Sequence, residues 1–260
     1  MSSTEASLRT PAPTAKRFAP QHRWDRNFFL LWVALIWLGV LMGFVPLMAT
    51  QIQQHQSLPF RPLIVPIHGL VFLGWLTLLT AQVLLIRSRR VDLHRKLGIA
   101  GVVLAPVMVI LGIATALIVN RVLFGEPGRD PPFIAIEFTD MLAFTGLAGA
   151  AFLLIKQPAA HKRLILLATL YISDAGFARW LGPTVAAHVD PGSLWGFMAV
   201  AYLSNDLLAL GLGAYDWITR RRLHPAYIAG IAWTAAVQLT GASLNLSPAW
   251  KPIALRLIGH

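Results

Sequence analysis

The sequence predicts an all-α protein: a polytopic transmembrane bundle of seven helices, with the N-terminus cytoplasmic and the C-terminus outside. Three observations carry that prediction. Of 260 residues, 56% are apolar and 13% charged, where a soluble domain carries about 25% charged residues. Mean hydropathy is +0.63. The apolar residues gather into seven runs, each near the roughly 20 residues that a bilayer demands, and Lys and Arg fall between those runs in alternation. A soluble enzyme is thereby excluded. The formal charge of +11 reads as a topology signal rather than a nucleic-acid footprint, so no nucleic acid is expected as a partner.

The runs cover 27–49, 63–86, 98–119, 134–155, 164–182, 193–217 and 226–246. Residues 1–26 are polar and basic with no early apolar stretch, and are expected as a disordered cytoplasmic leader. The first run starts too late and is too long for an ordinary cleaved signal peptide, so it is read as a retained anchor. Five Lys and Arg precede run 1, five lie between runs 2 and 3, three between runs 4 and 5, and three between runs 6 and 7. These sixteen share one face. Arg61, Arg121, Arg129, Lys251 and Arg256 lie on the other, and Arg179 falls inside run 5. The imbalance sets the orientation. Residues 27–246 form the transmembrane domain, and 247–260 are expected as a short external tail.

The external connections hold the turn formers, Pro59 and Pro62, then Gly125, Pro127, Gly128, Pro131 and Pro132, then Gly182, Pro183, Pro191 and Gly192. Trp24, Phe28, Trp180, Trp195, Trp217 and Trp250 fall near run ends, where an amphipathic ring gains from sitting at headgroup level. A weak repeat, His22-Arg23, His94-Arg95, His161-Lys162 and His224-Pro225, recurs at intervals of 72, 67 and 63 residues. Duplication of a two-helix hairpin accounts for it, as does selection for polar residues at one boundary; the histidines are read as solvated and interfacial. Cysteine is absent, which removes disulfides, iron–sulfur clusters and thiolate ligands.

Function is sought among the polar residues inside the runs, because an ionisable side chain at bilayer depth is costly and is a site hypothesis by default. Run 4 holds Glu137 and Asp140, three apart and so on one helical face. Run 5 holds Asp174 and Arg179, and run 6 holds Tyr202, Asn205 and Asp206. In run 2, His68, Trp75 and Gln82 follow one stripe, and Thr234, Gln238 and Asn245 do so in run 7. The carboxylates of Glu137, Asp140, Asp174 and Asp206 face the single guanidinium of Arg179, so the excess must be met by protons, by a bound cation or by a charged His68. The expectation is a polar cavity open to the outside, built from His68, Glu137, Asp140, Asp174, Arg179 and Asp206. Asp174 and Asp206 are its proton or cation groups, Arg179 biases their ionisation, and His68 with Glu137 forms the outer mouth.

Several readings remain open beside proton or cation handling, and whether the chain is an enzyme is undecided. A haem b needs two imidazoles at similar depth, and only His68 lies clearly within a run, although His55 and His188 in outer loops are able to fold inward. A divalent-metal site in a membrane oxidoreductase or hydrolase would draw on His68, Asp140, Asp174 and Asp206, which supply suitable atoms but no H-x-x-x-H or H-E-x-x-H spacing. A structural or accessory membrane subunit, with membrane protein partners, would use the same residues as interhelical hydrogen-bonding glue. The other expected partners are the lipid bilayer itself and anionic headgroups at the basic loops.

The run His68…Trp75…Gln82…Arg87…Leu93-His94-Arg95-Lys96-Leu97-Gly98, with His161-Lys162-Arg163-Leu164 and Leu223-His224-Pro225, resembles a group of uncharacterised seven-helix bacterial inner-membrane proteins. The resemblance covers residues 63–230. It implies the architecture, the topology and a bacterial inner (cytoplasmic) membrane as the location, and it carries no activity with it.

Overall fold

The computed structural model describes residues 18–19, 21–53, 62–126 and 131–260. Residues 1–17 and 20 of the predicted leader, and 54–61 of the first external loop with His55 and Arg61, lie outside the described residues. Among the described residues there are nine α-helices and a short 3₁₀ turn, and no strand. The helices are α1 (Asp25–Gln53), α2 (Ile64–Arg87), α3 (Val91–Val122), α4 (Ile134–Leu153), α5 (Pro158–Ile172), α6 (Asp174–Ala186), α7 (Leu194–Arg220), α8 (Pro225–Leu246) and α9 (Trp250–Ile258).

Five of these, α1 to α4 and α7, are long and apolar enough to cross a membrane, and the bent pair α5–α6 makes a sixth when taken as one span. Their outward faces are apolar: Leu70, Ile99, Ile110, Leu153 and Leu207 are all more than half exposed. A soluble protein rarely shows so extended an apolar surface, whereas hydrocarbon requires it. The chain is thus an all-α protein whose long helices suit a multi-pass membrane protein.

The elements pack around a central pair. α4 lies against α3, α5 and α8, and α5 also contacts α7 and α8. In α5 the run Leu164 to Tyr171 is buried apart from Ile165, so this helix is apolar and enclosed on almost every side. α1 packs on α2 and α6, and α6 on α7. The α1–α6 contact depends on small residues. A Cβ on Gly43 would collide with the Gly176 backbone, and one on Gly176 would come within 2.8 Å of the Gly39 carbonyl oxygen. Gly39 and Gly43 are thus a G-x-x-x-G pair that lets two helix backbones touch.

Three features differ from the sequence expectation. Run 5 is two helices, α5 and α6, meeting at Ser173 with a bend of 55°. Residues 247–260 are not a plain tail: α9 folds back, contacting the 3₁₀ turn, α3 and α8, and buries Ala254 and Ile258, while the Trp250 indole donates to the Pro132 carbonyl at 3.0 Å. Asp25, placed in the leader, is the first residue of α1 and is tied to the bundle.

The ends of α1, α2, α5 and α7 that carry the basic residues converge, and we call this the basic end. Arg163 and Asp216 are completely buried and joined by a bidentate ion pair. Asp25 accepts from Lys162 at 2.8 Å, from Arg220 at 2.9 Å and from the Tyr215 hydroxyl at 2.6 Å. Arg220 also lies 3.6 Å from Asp216, and Phe18 places its ring under the Arg163 guanidinium at 4.6 Å. Arg87 donates to the Asn27 side chain and to the Arg26 carbonyl, both at 2.6 Å, closing α2 on α1. Two of the repeated histidines, His161 and His224, work here as fasteners. The His161 ring is 2.8 Å from the Ala151 carbonyl, and His224 Nδ1 caps α8 by accepting from Ala226 N–H at 3.1 Å.

Candidate functional site

The site begins with a break in the backbone. Ser and Asp compete for backbone groups and so disfavour helix continuation, and both occur together at Ser173-Asp174. The Ser173 hydroxyl and N–H both donate to the Leu170 carbonyl, at 2.6 and 3.1 Å. That carbonyl also accepts the side-chain amide of Asn205 at 2.8 Å. In hydrocarbon every freed backbone group needs a partner, and Asn205 on α7 supplies one. The Asp174 carboxyl, at the first position of α6, accepts its neighbour's N–H at 2.5 Å.

The break brings Asp174 to Asp140. Their carboxyl groups lie within hydrogen-bonding reach of each other, and a carboxyl–carboxyl hydrogen bond requires a proton on one of the two. Asp140 Oδ1 is buried with no other hydrogen-bond partner among the described residues. Asp140 stands six residues into α4, about 9 Å along its axis, and Asp206 stands twelve residues into α7, about 18 Å along. Both helices are entered from the end opposite the basic one, so the pair sits nearer that end and Asp206 nearer mid-depth.

Two tyrosines close the site. Tyr171 and Tyr202 stack with ring centroids 6.1 Å apart, both almost wholly buried and both in the field of Asp140 and Asp174. The two hydroxyls lie within hydrogen-bonding reach of each other, whereas the buried Asn205 Oδ1 has no partner among the described residues. Buried polar atoms are nearly always satisfied, so the orphaned Asn205 Oδ1 beside this pair requires an explanation.

The remaining predicted residues are distributed unequally. Glu137 is near enough to Asp140 to repel it and accepts the Asn120 amide at 2.7 Å. Arg179 attracts Asp174 electrostatically, donates to the Ala175 carbonyl at 2.7 Å and lies 4.9 Å from the Phe44 ring. Asp206 accepts from Gln238 at 2.9 Å. The His68 ring lies 4.0 Å from the Phe72 ring of its own helix, tilted by 30°. Among the described residues no group of three or more His, Asp or Glu is arranged to hold a metal ion, so His68, Asp140, Asp174 and Asp206 do not gather as one metal site. Trp75 is held by Thr169 at 3.0 Å and packs edge-on to Phe144, which is core packing.

Sequence reasoning missed Tyr171, Ser173 and Asn120. Tyr171 was readable from its place in a run. The roles of Ser173 and Asn120 depend on partners on other helices. A larger apolar hollow of about 330 Å³, lined by Gly146, Ala150, Leu164, Gly230 and Trp233 among others, offers only hydrocarbon surface and lies away from the carboxylates.

No protein-family model matches this chain, and no curated protein or solved structure is significantly similar to it.

Proposed function

We propose that this chain is a seven-span protein of a bacterial inner membrane, with its basic end in the cytoplasm, in which the Asp140–Asp174 carboxyl pair takes up and releases a proton. The observation that carries the reading is that pair: two carboxyls within hydrogen-bonding reach at a broken helix, where a shared proton is the chemically simplest way to hold them together. α8 supplies the seventh span, and sixteen basic residues against five support the orientation. Broken helices recur where membrane proteins bind ions near mid-depth, because the freed backbone is tolerated only beside protein or a wet cavity. Glu137 and Arg179 bias the pair in opposite senses, and the outer part of the site is its mouth. Anionic headgroups meet the basic end.

The test is proton movement in vesicles. Purified protein is reconstituted with a pH-sensitive dye inside, and a pH step is applied. Asp174→Asn and Asp140→Asn should each reduce the protein-dependent proton flux at least tenfold while the melting temperature in detergent stays near that of the parent. Equal flux in parent and both variants contradicts the proposal.

A further inference from the structure

The carboxylates expected to act together divide into two stations. Beside the Asp140–Asp174 pair lies a separate cavity with room, about 10 Å³, for the centre of one water-sized particle, lined by Tyr171, Asn205, Asp206, Thr234 and Gln238 together with apolar residues. About that much room suffices for one water or one small ion. Asn205 and Tyr171 are each 4% exposed; the Tyr171 hydroxyl is within reach of Tyr202, while Asn205 Oδ1 is buried with no hydrogen-bond partner among the described residues. The Asn205 amide nitrogen is already committed to the Leu170 carbonyl, which leaves its oxygen as the group still to be satisfied. Thr234 donates its proton to the carbonyls of Gly230 and Ile231, at 3.1 and 2.9 Å, leaving the hydroxyl lone pair as an acceptor. Gln238 holds one oxygen of Asp206 and leaves the other.

The cavity therefore offers oxygen acceptors with one formal negative charge and no nitrogen ligand. Hard cations take oxygen ligands, and one carboxylate matches one positive charge. We infer that the cavity formed by Asp206, Asn205, Tyr171, Thr234 and Gln238 binds a single monovalent cation of about the size of Na⁺.

A consequence follows from charge. Asp206 follows Asn205, which bonds the Leu170 carbonyl at the break where Asp174 begins α6, so a cation at Asp206 makes the potential there more positive and releases the proton shared by Asp174 and Asp140. One positive charge enters as one leaves, and the net charge of the site is unchanged. By linkage, the proton must oppose the cation to the same degree. The other ionisable groups facing the pair are Glu137 on α4, Arg179 on α6, Tyr171 on α5 and Tyr202 on α7. This exchange rests on the proton reading proposed above, whereas the cation site does not.

Titration calorimetry of the purified full chain with NaCl, in buffers of different ionisation enthalpy, measures both cation binding and protons released. Choline chloride is the ionic-strength control. The expected result is saturable Na⁺ binding with about one proton released per ion. Asp206→Asn should lose that binding at least tenfold, and Thr234→Val, which keeps the shape and removes one oxygen, should weaken it about tenfold. Asp140→Asn should bind Na⁺ and release no proton. Absence of Na⁺ binding in the parent, or binding that neither Asp206→Asn nor Thr234→Val alters, overturns the cation site. Na⁺ binding by the parent without proton release leaves the cation site standing and overturns the exchange together with the shared-proton reading.

Discussion

The basic end and the broken helix treat buried charge in opposite ways. At the basic end Asp25 of α1 and Asp216 of α7 are met by Lys162 and Arg163 of α5 and by Arg220 of α7. Each carboxylate there has cationic partners at contact distance. At the break, carboxyl meets carboxyl, and the buried Asn205 Oδ1 goes without a partner among the described residues. Both arrangements sit in the same α5–α6 unit, one at its start and one at its bend. The first is a clamp, in which charges of opposite sign fix helix positions. The second is under-satisfied, and such a site is useful only where something else arrives to complete it, a proton or an ion.

The largest expected effect separates these roles. Asp216→Ala strands the fully buried Arg163 guanidinium, and uncompensated buried charge costs about 3–5 kcal/mol, so the melting temperature in detergent should fall steeply. If Asp216→Ala melts with the parent, the basic end is not a clamp. At the break, by contrast, Asp174→Asn and Asp140→Asn exchange a carboxyl for an amide of equal shape that supplies its own donor. These should change stability by less than about 1 kcal/mol, against their large effect on proton flux. A destabilisation as deep as that of Asp216→Ala would make the pair structural.

The seam between the two regions is of intermediate size. Gly43→Leu drives a side chain into the Gly176 backbone, and overpacking of this kind costs about 1–3 kcal/mol. Thermal unfolding checks it, and an unchanged melting temperature would deny the close α1–α6 contact.

The smallest effect concerns His224, in the loop between α7 and α8. Burial first, and then the positive charge of Arg163, lower its imidazole below the ordinary value of 6.5. The neutral ring is the form that caps α8. Because the folded value is depressed, this contribution is fully present above pH 6.5 and is lost as pH falls below it, through the folded value. His224→Asn keeps a cap and should remove that part of the pH dependence of melting. A parent and variant with identical pH profiles would refute it.

Much of the architecture is legible in the sequence because bilayer crossing is a local property. Long apolar runs mark α1 to α4 and α7 whatever they pack against, and the run at 226–246 falls on α8 within a residue. The break at Ser173 is not local. Two polar residues within an apolar run do not reveal that Asn205, 35 residues beyond Leu170, bonds the Leu170 carbonyl. The basic clamp was hidden for the same reason: Asp25 and Arg220 are 195 residues apart, and Lys and Arg at a boundary look like a topology signal. Asp216, in the last turns of a run, gave no hint of being completely buried. At the site, the residue types were legible as an excess of acid, but spacing did not reveal that Asp140 pairs with Asp174 while Asp206 turns to Gln238 and His68 stays with Phe72.

The central claim is that Asp140 and Asp174 share a proton within the membrane. Infrared spectroscopy of the reconstituted protein tests it directly, through the carbonyl stretch of a protonated carboxylic acid near neutral pH. The account predicts such a band in the parent, shifted in D₂O and lost in both Asp140→Asn and Asp174→Asn. A parent spectrum with no protonated carboxyl band, or a band that survives both substitutions, would contradict it.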